Sequence, residues 1–416
     1  MNTKSDMITH PDVIIIGAGA AGLFAAVHAG RSGAKVLVLD GARSIGVKIL
    51  VAGGGRCNVT HHHVDEKAFA GSSRNAIRKV LRRFDADDTV EFFKQLDVEL
   101  KQEDTGKLFP VTDDARTVLN ALIKAAEDAG CQIKFPRRVD TIEPSEDGFI
   151  VSGDWGQAQA PRVIFATGGK ALPKSGSDGA GLEMMHSLGH SLTDHVLPAL
   201  VPLILPGEHP LRELSGITLP ATLNVQSASG KILHSFTNSL LLTHFGLSGP
   251  AALDISRYWR AALLEDSAIE LHANFLPTMN ESQLDSACQT QQSRTPLSLL
   301  KEHLAERFAR YLCQTAGVDP NERLGQLSRD QRRTFAKTCT NLTLPIEGDR
   351  GFTHAEVTMG GVPLSEVRLD NMESRIVPGL HLIGEILDVD GRIGGFNFQW
   401  AWATGYIAGT SFLKKD

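Results

Sequence analysis

The sequence predicts an α/β protein whose doubly wound parallel sheet is interrupted midway by a β-rich insertion. Three observations carry this. Residues 12–16 (Asp-Val-Ile-Ile-Ile) form a β-branched run broken by Gly17–Gly22. The chain continues as a small, apolar helix over 23–32 and is answered by a second apolar run at 35–39 ending in Asp40. That order, strand, tight turn, helix, strand, is the first unit of a doubly wound sheet. From about residue 193 the texture changes, because Pro198, Pro202, Pro206, Pro210 and Pro220 punctuate short β-type runs. From about residue 352 glycine turns and a strand return.

In chain order, a long helix is predicted from about Asn75 to Leu96, another from Asp113 to Ala129, and a strand from Arg162 to Ala166. In the insertion, residues 219–225, 232–236 and 240–243 read as strands. Residues 280–340 turn polar and helical, with Leu299, Leu300, Leu304 and Phe308 spaced along one helix face. Leu380 to Ile383 reads as a strand, and a last helix follows Gly395. The resulting bounds are 1–192 with 352–416 for the doubly wound part and 193–351 for the insertion. The insertion divides into a β-rich stretch, 193–278, and a helical one, 279–340.

The 416 residues carry a net charge of −6, with 42% hydrophobic and 22% charged residues, which excludes disordered, collagen-like and fibrous classes. Cys57, Cys131, Cys288, Cys313 and Cys339 are too scattered for a disulfide framework, and none forms a Cys-x-x-Cys pair. No metal site is expected, and a reducing cytoplasm is the expected location. Glycines at 17, 19 and 22 break the longest apolar run, and the leader carries Lys4 and Asp6, so neither a signal peptide nor a membrane span is expected. Nothing points to a stable protein partner.

The strongest motif is Gly17-Ala18-Gly19-Ala20-Ala21-Gly22, with Asp40 placed 23 residues after Gly17. Gly17 permits the turn, Gly19 lets backbone approach a pyrophosphate, and Gly22 lets helix and strand pack closely. Asp40 would accept ribose hydroxyls and repel a 2′-phosphate, so FAD or NAD is favoured over NADP. Two more segments suit a longer cofactor. Lys48 to Thr60 contains Gly53, Gly54 and Gly55, followed by Arg56, which can neutralise negative charge. Near the C-terminus, Gly394-Gly395 opens a helix whose N-terminus could face the pyrimidine edge of a flavin.

Four segments together resemble the YhiN/BaiN-type flavoprotein family. They are Gly-Gly-Gly-Arg-Cys-Asn-Val-Thr at 53–60, Phe165-Ala166-Thr167-Gly168-Gly169, residues 243–250, and Gly384 to Gly391 followed by Gly394 to Ala401. The resemblance implies a Rossmann-like FAD-binding domain made from both chain ends, with a β-barrel-like insertion carrying a small helical subdomain. It places Gly17, Gly19, Gly22 and Asp40 at the ADP half of FAD, and Arg56, Cys57 and Asn58 near the flavin. Glu385, Asp388, Gly395, Asn397, Phe398 and Gln399 fall at the ribityl and ring end. Ala20, Ala21, Lys48, Gly54, Gly55, Val139, Thr167, Gly168, Gly384, Gly394 and Phe396 complete the expected cofactor-binding set. Ala52 stands where similar proteins often have serine, and Asp40 where glutamate is common.

The resemblance further implies reduction of conjugated carbon–carbon double bonds, in steroid-like enones or in a uracil of ribosomal RNA; some members are labelled small-amine oxidases. A small enone with NAD(P)H as electron donor is the expected reaction. NAD(P)H would visit transiently, because no second glycine-rich strand-turn-helix unit exists: Pro173 and Lys174, not a strand, precede Gly176–Gly181, where Asp178 is expected to cap the next helix. Such a reduction needs a polarised carbonyl and a proton donor. Cys57 and His244 are the candidates, the first because Arg56 beside it would lower a thiol pKa, the second because it lies in a glycine-flanked turn. Packing is the plainer role for Cys57, and for Trp400 and Trp402. Two basic clusters, Arg74, Arg78, Lys79, Arg82 and Arg83, and Arg323, Arg329, Arg332, Arg333 and Lys337, could bind RNA or be solvated faces paired with Asp85, Asp87 and Asp330. The rival readings are a uracil reductase of ribosomal RNA, an amine oxidase, and a non-catalytic flavin-bearing RNA-binding protein.

Overall fold

The computed structural model describes residues 10–412, so Lys4 and Asp6 lie outside the described residues. Two compact units divide the chain. Unit 1 runs up to Pro198 and resumes at Glu356; unit 2 is Ala199–Ala355.

Unit 1 is built on a seven-stranded sheet in the order 367–368, 373–374, 380–382, 163–165, 13–16, 36–39, 132–134. The last five of these run parallel, with Ile15 in register with both Val38 and Ile164. Val13–Ile16 and Val36–Leu39 are buried throughout, which is why they read as unbroken apolar runs rather than as alternating ones. The first crossover is α1 (Ala20–Arg31). Helices α2 (Val47–Gly55), α3 (Arg74–Leu81), α4 (Ala86–Gln95), α5 (Ala115–Asp128) and α6 (Ala180–Ser187) follow in this unit, which closes with α12 (Phe396–Thr410).

Small residues join the two ends of the chain. Side chains added at Gly405 and Gly409 of α12 would start 2.8 and 2.7 Å from the carbonyl oxygens of Ala21 and Ala25 on α1. The helices therefore touch backbone to backbone, and the first and last segments share one core.

The expected single helix from Asn75 to Leu96 is corrected to two. Asp85 breaks it by capping α4: its carboxylate accepts the Asp88 N–H at 3.0 Å while the Asp88 carboxylate accepts the Asp85 N–H at 3.0 Å. A cap of this kind is worth about 1 kcal/mol and fixes a helix start.

Unit 2 holds an antiparallel seven-stranded sheet ordered 342–344, 270–274, 218–226, 232–243, 246–248, 203–204, 348–349. The two strands expected at 232–236 and 240–243 are one, Ile232–Thr243. A long helix, α7 (Gly249–Glu265), follows the short strand Gly246–Ser248 and was not foreseen; Pro250 at its first turn suits a helix start. The helical part comprises α8 (Glu281–Thr290), α9 (Pro296–Leu300), α10 (Glu306–Thr315) and α11 (Arg329–Thr340). Leu299, Leu300, Leu304 and Phe308 are all buried, but Leu304 sits in the turn between α9 and α10 rather than on one continuous helix. Among the described residues no helix is long and apolar enough to cross a membrane.

Candidate functional site

The glycine turn of unit 1 is closed on one side and open on the other. Gly17 has φ +104°; a side chain there would strike the Ala166 carbonyl, and one at Gly22 would strike the Gly17 carbonyl. Beside Gly19 a side chain would meet nothing within 4 Å. Helix α1 starts at Gly19 with no side-chain cap and no acid in its first turn, so the N–H groups around Ala20 and Ala21 are left for an anion. Asp40 holds the turn: its carboxylate accepts the Ala18 N–H at 2.6 Å and the Ala42 N–H at 2.8 Å. Burial pushes the Asp40 pKa up, with these two bonds pulling the other way. Each carboxylate oxygen can accept a second bond, which leaves room for a ribose hydroxyl. The buried Val139 follows Arg137, whose N–H donates to the Asp40 carbonyl at 2.6 Å, so this segment borders the same place.

A second open place lies where α2 ends. Gly53, Gly54 and Gly55 take φ values of +58°, +70° and +86°, and a side chain at Gly54 would meet nothing within 4 Å. Gly53 packs on the Phe109 ring and on Asn58. Asn58 is 7% exposed, and its Oδ1 is buried without a hydrogen-bond partner among the described residues. Lys48 of α2 pairs with Glu385 at 2.5 Å, and Glu385 accepts the N–H and hydroxyl of the buried Thr358 at 3.0 and 2.8 Å. Thr358 in turn accepts the N–H groups of Lys170 and Ala171, so this chain of bonds shapes the loop after Thr167 and Gly168. Sequence reasoning missed Thr358, because a lone threonine carries no motif.

Two hydroxyls beside that loop are also unfinished. Thr167 Oγ1 and Ser177 Oγ are buried without a partner among the described residues, and Ser177 is only 4% exposed. A side chain at Gly168 would start 2.7 Å from Ser177 Oγ, and one at Gly181 would run into Thr167 Oγ1, so the two hydroxyls flank one small space at the start of α6. Asp178 does bond the first N–H of α6, that of Ala180 at 3.1 Å, but Gly179 occupies the cap position and Asp178 also pairs with Arg138 at 2.8 Å. An unsatisfied buried polar atom costs about 1–3 kcal/mol. All three lie beside left-handed glycine turns, Asn58 at Gly53 and the two hydroxyls at Gly168 and Gly176.

At the C-terminal end, Gly384 donates its N–H to Thr404 Oγ1 at 3.0 Å and accepts from the Trp400 indole at 3.2 Å. Asp388 accepts the Ser72 hydroxyl at 3.1 Å. Asn397 clasps Gly391, its side-chain carbonyl accepting the Gly391 N–H at 2.8 Å and its amide donating to the Gly391 carbonyl at 3.0 Å, which sets the turn through Gly394 and Gly395. Helix α12 starts at Gly395 with no side-chain cap. Phe396 stacks on His61 with ring centroids 5.0 Å apart, and Phe398 on Trp402 at 5.5 Å. Trp400 and Trp402 are buried in the core.

Three residues behave differently from expectation. Gln399 is 0% exposed and fully used inside the unit: its carbonyl accepts the hydroxyls of Thr60 (2.7 Å) and Thr89 (2.8 Å), and its amide donates to Phe84 and Asp85, each at 2.9 Å. It is a strut between α12, α4 and the 60–61 strand. Arg56 spends its charge on Glu103 at 2.6 Å and Asp113 at 3.5 Å, and lies over the Phe109 ring at 4.0 Å. Cys57 is fully buried, and burial pushes its thiol up to about 12. The expected lowering by Arg56 fails because desolvation outweighs a cation already neutralised by two carboxylates.

In unit 2, His244 is exposed in the turn between the 232–243 and 246–248 strands, where its carbonyl accepts from Arg212 at 2.7 Å and its ring meets Phe245 edge-on. Of the basic clusters, Arg78 pairs with Glu66 at 2.6 Å and Arg332 with Asp285 at 3.2 Å. Arg329, Arg333 and Lys337, four residues apart on α11, are exposed and make no ion pair among the described residues.

The chain is 37% identical over 408 residues to the 3-dehydro-bile acid delta(4,6)-reductase of Clostridium scindens, covering 96% of this chain and 98% of that protein. It is 32% identical over 411 residues to the ribosomal RNA dihydrouridine synthase of Escherichia coli, with 97% and 98% covered. Among solved structures, the 3-ketosteroid delta1-dehydrogenase of Sterolibacterium denitrificans shares the fold, with a TM-score of 0.52 at 16% identity over 97% of this chain and 99% of that one. Residues 11–411 match the HI0933-like protein Rossmann domain. With its open glycine turn, its Asp40 and this match over nearly its whole length, the chain belongs to the HI0933-like family, the YhiN/BaiN type that its motifs resemble.

Proposed function

We propose that this flavin-dependent oxidoreductase holds FAD in unit 1 and reduces a carbon–carbon double bond conjugated to a carbonyl, in a small enone or steroid-like molecule. NAD(P)H, visiting transiently, would supply the electrons. The observation that carries the reading is the unfinished polar site of unit 1 in a chain 37% identical to a bile-acid reductase. When bound, FAD would supply the hydride. The Gly17–Gly22 turn and the start of α1 would hold the pyrophosphate, and Asp40 the adenosine ribose. Thr167, Ser177, Asn58, Glu385 and the Gly394–Gly395 turn would hold the remainder. A proton must reach the second carbon, and His244 is the proposed donor, since Cys57 is buried and holds its proton.

A second reading, reduction of a uracil in ribosomal RNA, is favoured by the unpaired α11 stripe and by the 32% relative. One experiment separates the two. Purified protein is assayed anaerobically for NAD(P)H oxidation with small enones, while ribosomal RNA from cells with and without the protein is compared for dihydrouridine by mass spectrometry. Enone-dependent turnover with unchanged RNA supports the first reading. Loss of dihydrouridine in the cells lacking the protein supports the second, and Arg329→Glu with Arg333→Glu should then abolish it while FAD content stays intact. Oxygen-dependent oxidation of amines with no reductase activity would overturn both.

A further inference from the structure

Lys107 stands apart from the cations around it. On the same hairpin Lys101 pairs with Asp113, and nearby Arg56 pairs with Glu103 and Lys48 with Glu385. The Lys107 ammonium makes no hydrogen bond or ion pair among the described residues, although its side chain is half-buried. A lysine whose stem is packed while its ammonium has no carboxylate partner can offer that charge to a negative group from outside the chain.

Its position is tightly determined. Lys107–Pro110 pairs antiparallel with Thr60–His61, with His61 directly opposite Lys107, so the two side chains share one face of the sheet. The His61 ring lies on Phe396, the first residue of α12. One of its nitrogens faces the Thr105 carbonyl at 3.0 Å and the other the His63 carbonyl at 2.8 Å, which ties the hairpin tip to the 60–61 strand. A side chain at Gly395 would start 2.6 Å from the Thr60 carbonyl carbon, and the Trp402 indole donates to the Val59 carbonyl at 2.8 Å, so strand and helix are locked together. The stem of Lys107 then runs along the turn before α12: its Cε lies 3.6 Å from where a Gly394 side chain would begin.

We infer that Lys107 is a cation for the flavin's pyrimidine end, adding a full charge to the uncapped start of α12 where negative charge gathers on reduction. This rests on the FAD reading above. The neighbouring buried Asn58 Oδ1, left without a partner, independently marks this end of the unit as built around a polar ligand. Lys107 would touch the cofactor, with His61 as the positioning residue that holds the hairpin against Phe396.

The test compares wild-type holoenzyme with Lys107→Met and Lys107→Arg, reading FAD content, sulfite affinity of the oxidised flavin and its two-electron reduction potential. Lys107→Met should retain FAD, bind sulfite at least tenfold more weakly and fall in potential by about 30 mV, the equivalent of that tenfold for a two-electron couple. Lys107→Arg should restore most of both. Because the side chain is half-exposed, Lys107→Gln with a circular-dichroism check serves as a second neutral variant should the methionine variant misfold. A yellow Lys107→Met or Lys107→Gln protein with unchanged sulfite affinity and potential overturns the role of Lys107 and leaves the FAD reading standing. A wild-type protein that binds no FAD overturns the FAD reading itself, and this inference with it.

Discussion

In unit 2, helices α8, α9 and α11 open with reciprocal capping boxes, pairing Asn280 with Gln283, Thr295 with Ser298 and Ser328 with Gln331. In unit 1, α1 and α12 open on Gly19 and Gly395 with no side-chain cap, and α6 opens on Gly179 with its first N–H bonded by Asp178, the residue before it. The difference is not one of unit alone, because α4 and α5 of unit 1 are capped by Asp85 and Asp114. Capped helices satisfy their own first N–H groups and need nothing more. The α1 and α12 starts leave those groups open, and Thr167, Ser177 and Asn58 of the same unit have buried polar atoms without partners among the described residues. At α8, α9 and α11 a side chain closes the helix start, while at α1 and α12 glycine keeps it bare.

This contrast can be broken by substitutions on its two sides. Gly22→Val should have the largest effect, since any side chain there runs into the Gly17 carbonyl: FAD retention is lost and stability falls by about 1–3 kcal/mol or more, as FAD absorbance and thermal unfolding would show. A yellow, equally stable Gly22→Val protein would refute the closed side of the turn.

A comparable loss should follow acidification. The His28 ring sits among Phe24, Phe84, Phe92 and Tyr406, and burial, helped by the Arg31 charge, holds its pKa down at about 3, against about 6.5 when unfolded. The neutral ring therefore stabilises the fold fully above pH 6.5, and that contribution is lost as pH falls from 6.5 towards 3, on the order of a few kcal/mol. Denaturant titrations of His28→Phe across this range should show a shallower pH dependence than wild type; parallel curves would contradict the assignment.

Asp40→Ala removes the acceptor for Ala18 and Ala42 as well as the proposed ribose contact, so FAD affinity should fall at least tenfold, consistent with about 1.5–3 kcal/mol for bonds to a charged group. Equilibrium dialysis with FAD measures it. The smallest effect belongs to the other side of the contrast. Ser328→Ala, at a capped helix of unit 2, should cost about 1 kcal/mol in denaturant unfolding and leave FAD content unchanged.

Which features were readable in the sequence follows from their range. The Gly17–Gly22 turn, Asp40 and the Gly394–Gly395 entry are local devices, each recognisable within a few residues or one strand-helix-strand unit. The packing role of Gln399 was not legible because its partners Thr60 and Thr89 lie more than 300 residues away, and nothing local shows that its amide is already used. The surroundings of Arg56 and Cys57 were not legible for a related reason. Glu103 and Asp113 reach Arg56 only through the folded hairpin, and burial of the Cys57 thiol is a property of the assembled core. Lys107 carries no motif at all; its pairing with His61 appears only once the 60–61 and 107–110 strands meet. The helix break at Asp85 was legible in principle, as an aspartate three residues ahead of another acid at a helix start, but the charge pattern drew it into a surface ion-pair reading instead.

The central claim is that unit 1 is completed by FAD, and chromatography of the cofactor released from purified, denatured protein tests it most directly. Stoichiometric FAD, lost in Gly22→Val and kept in Ser328→Ala, is the predicted result. Release of FMN, or a colourless protein that cannot be reconstituted with FAD, would contradict the account.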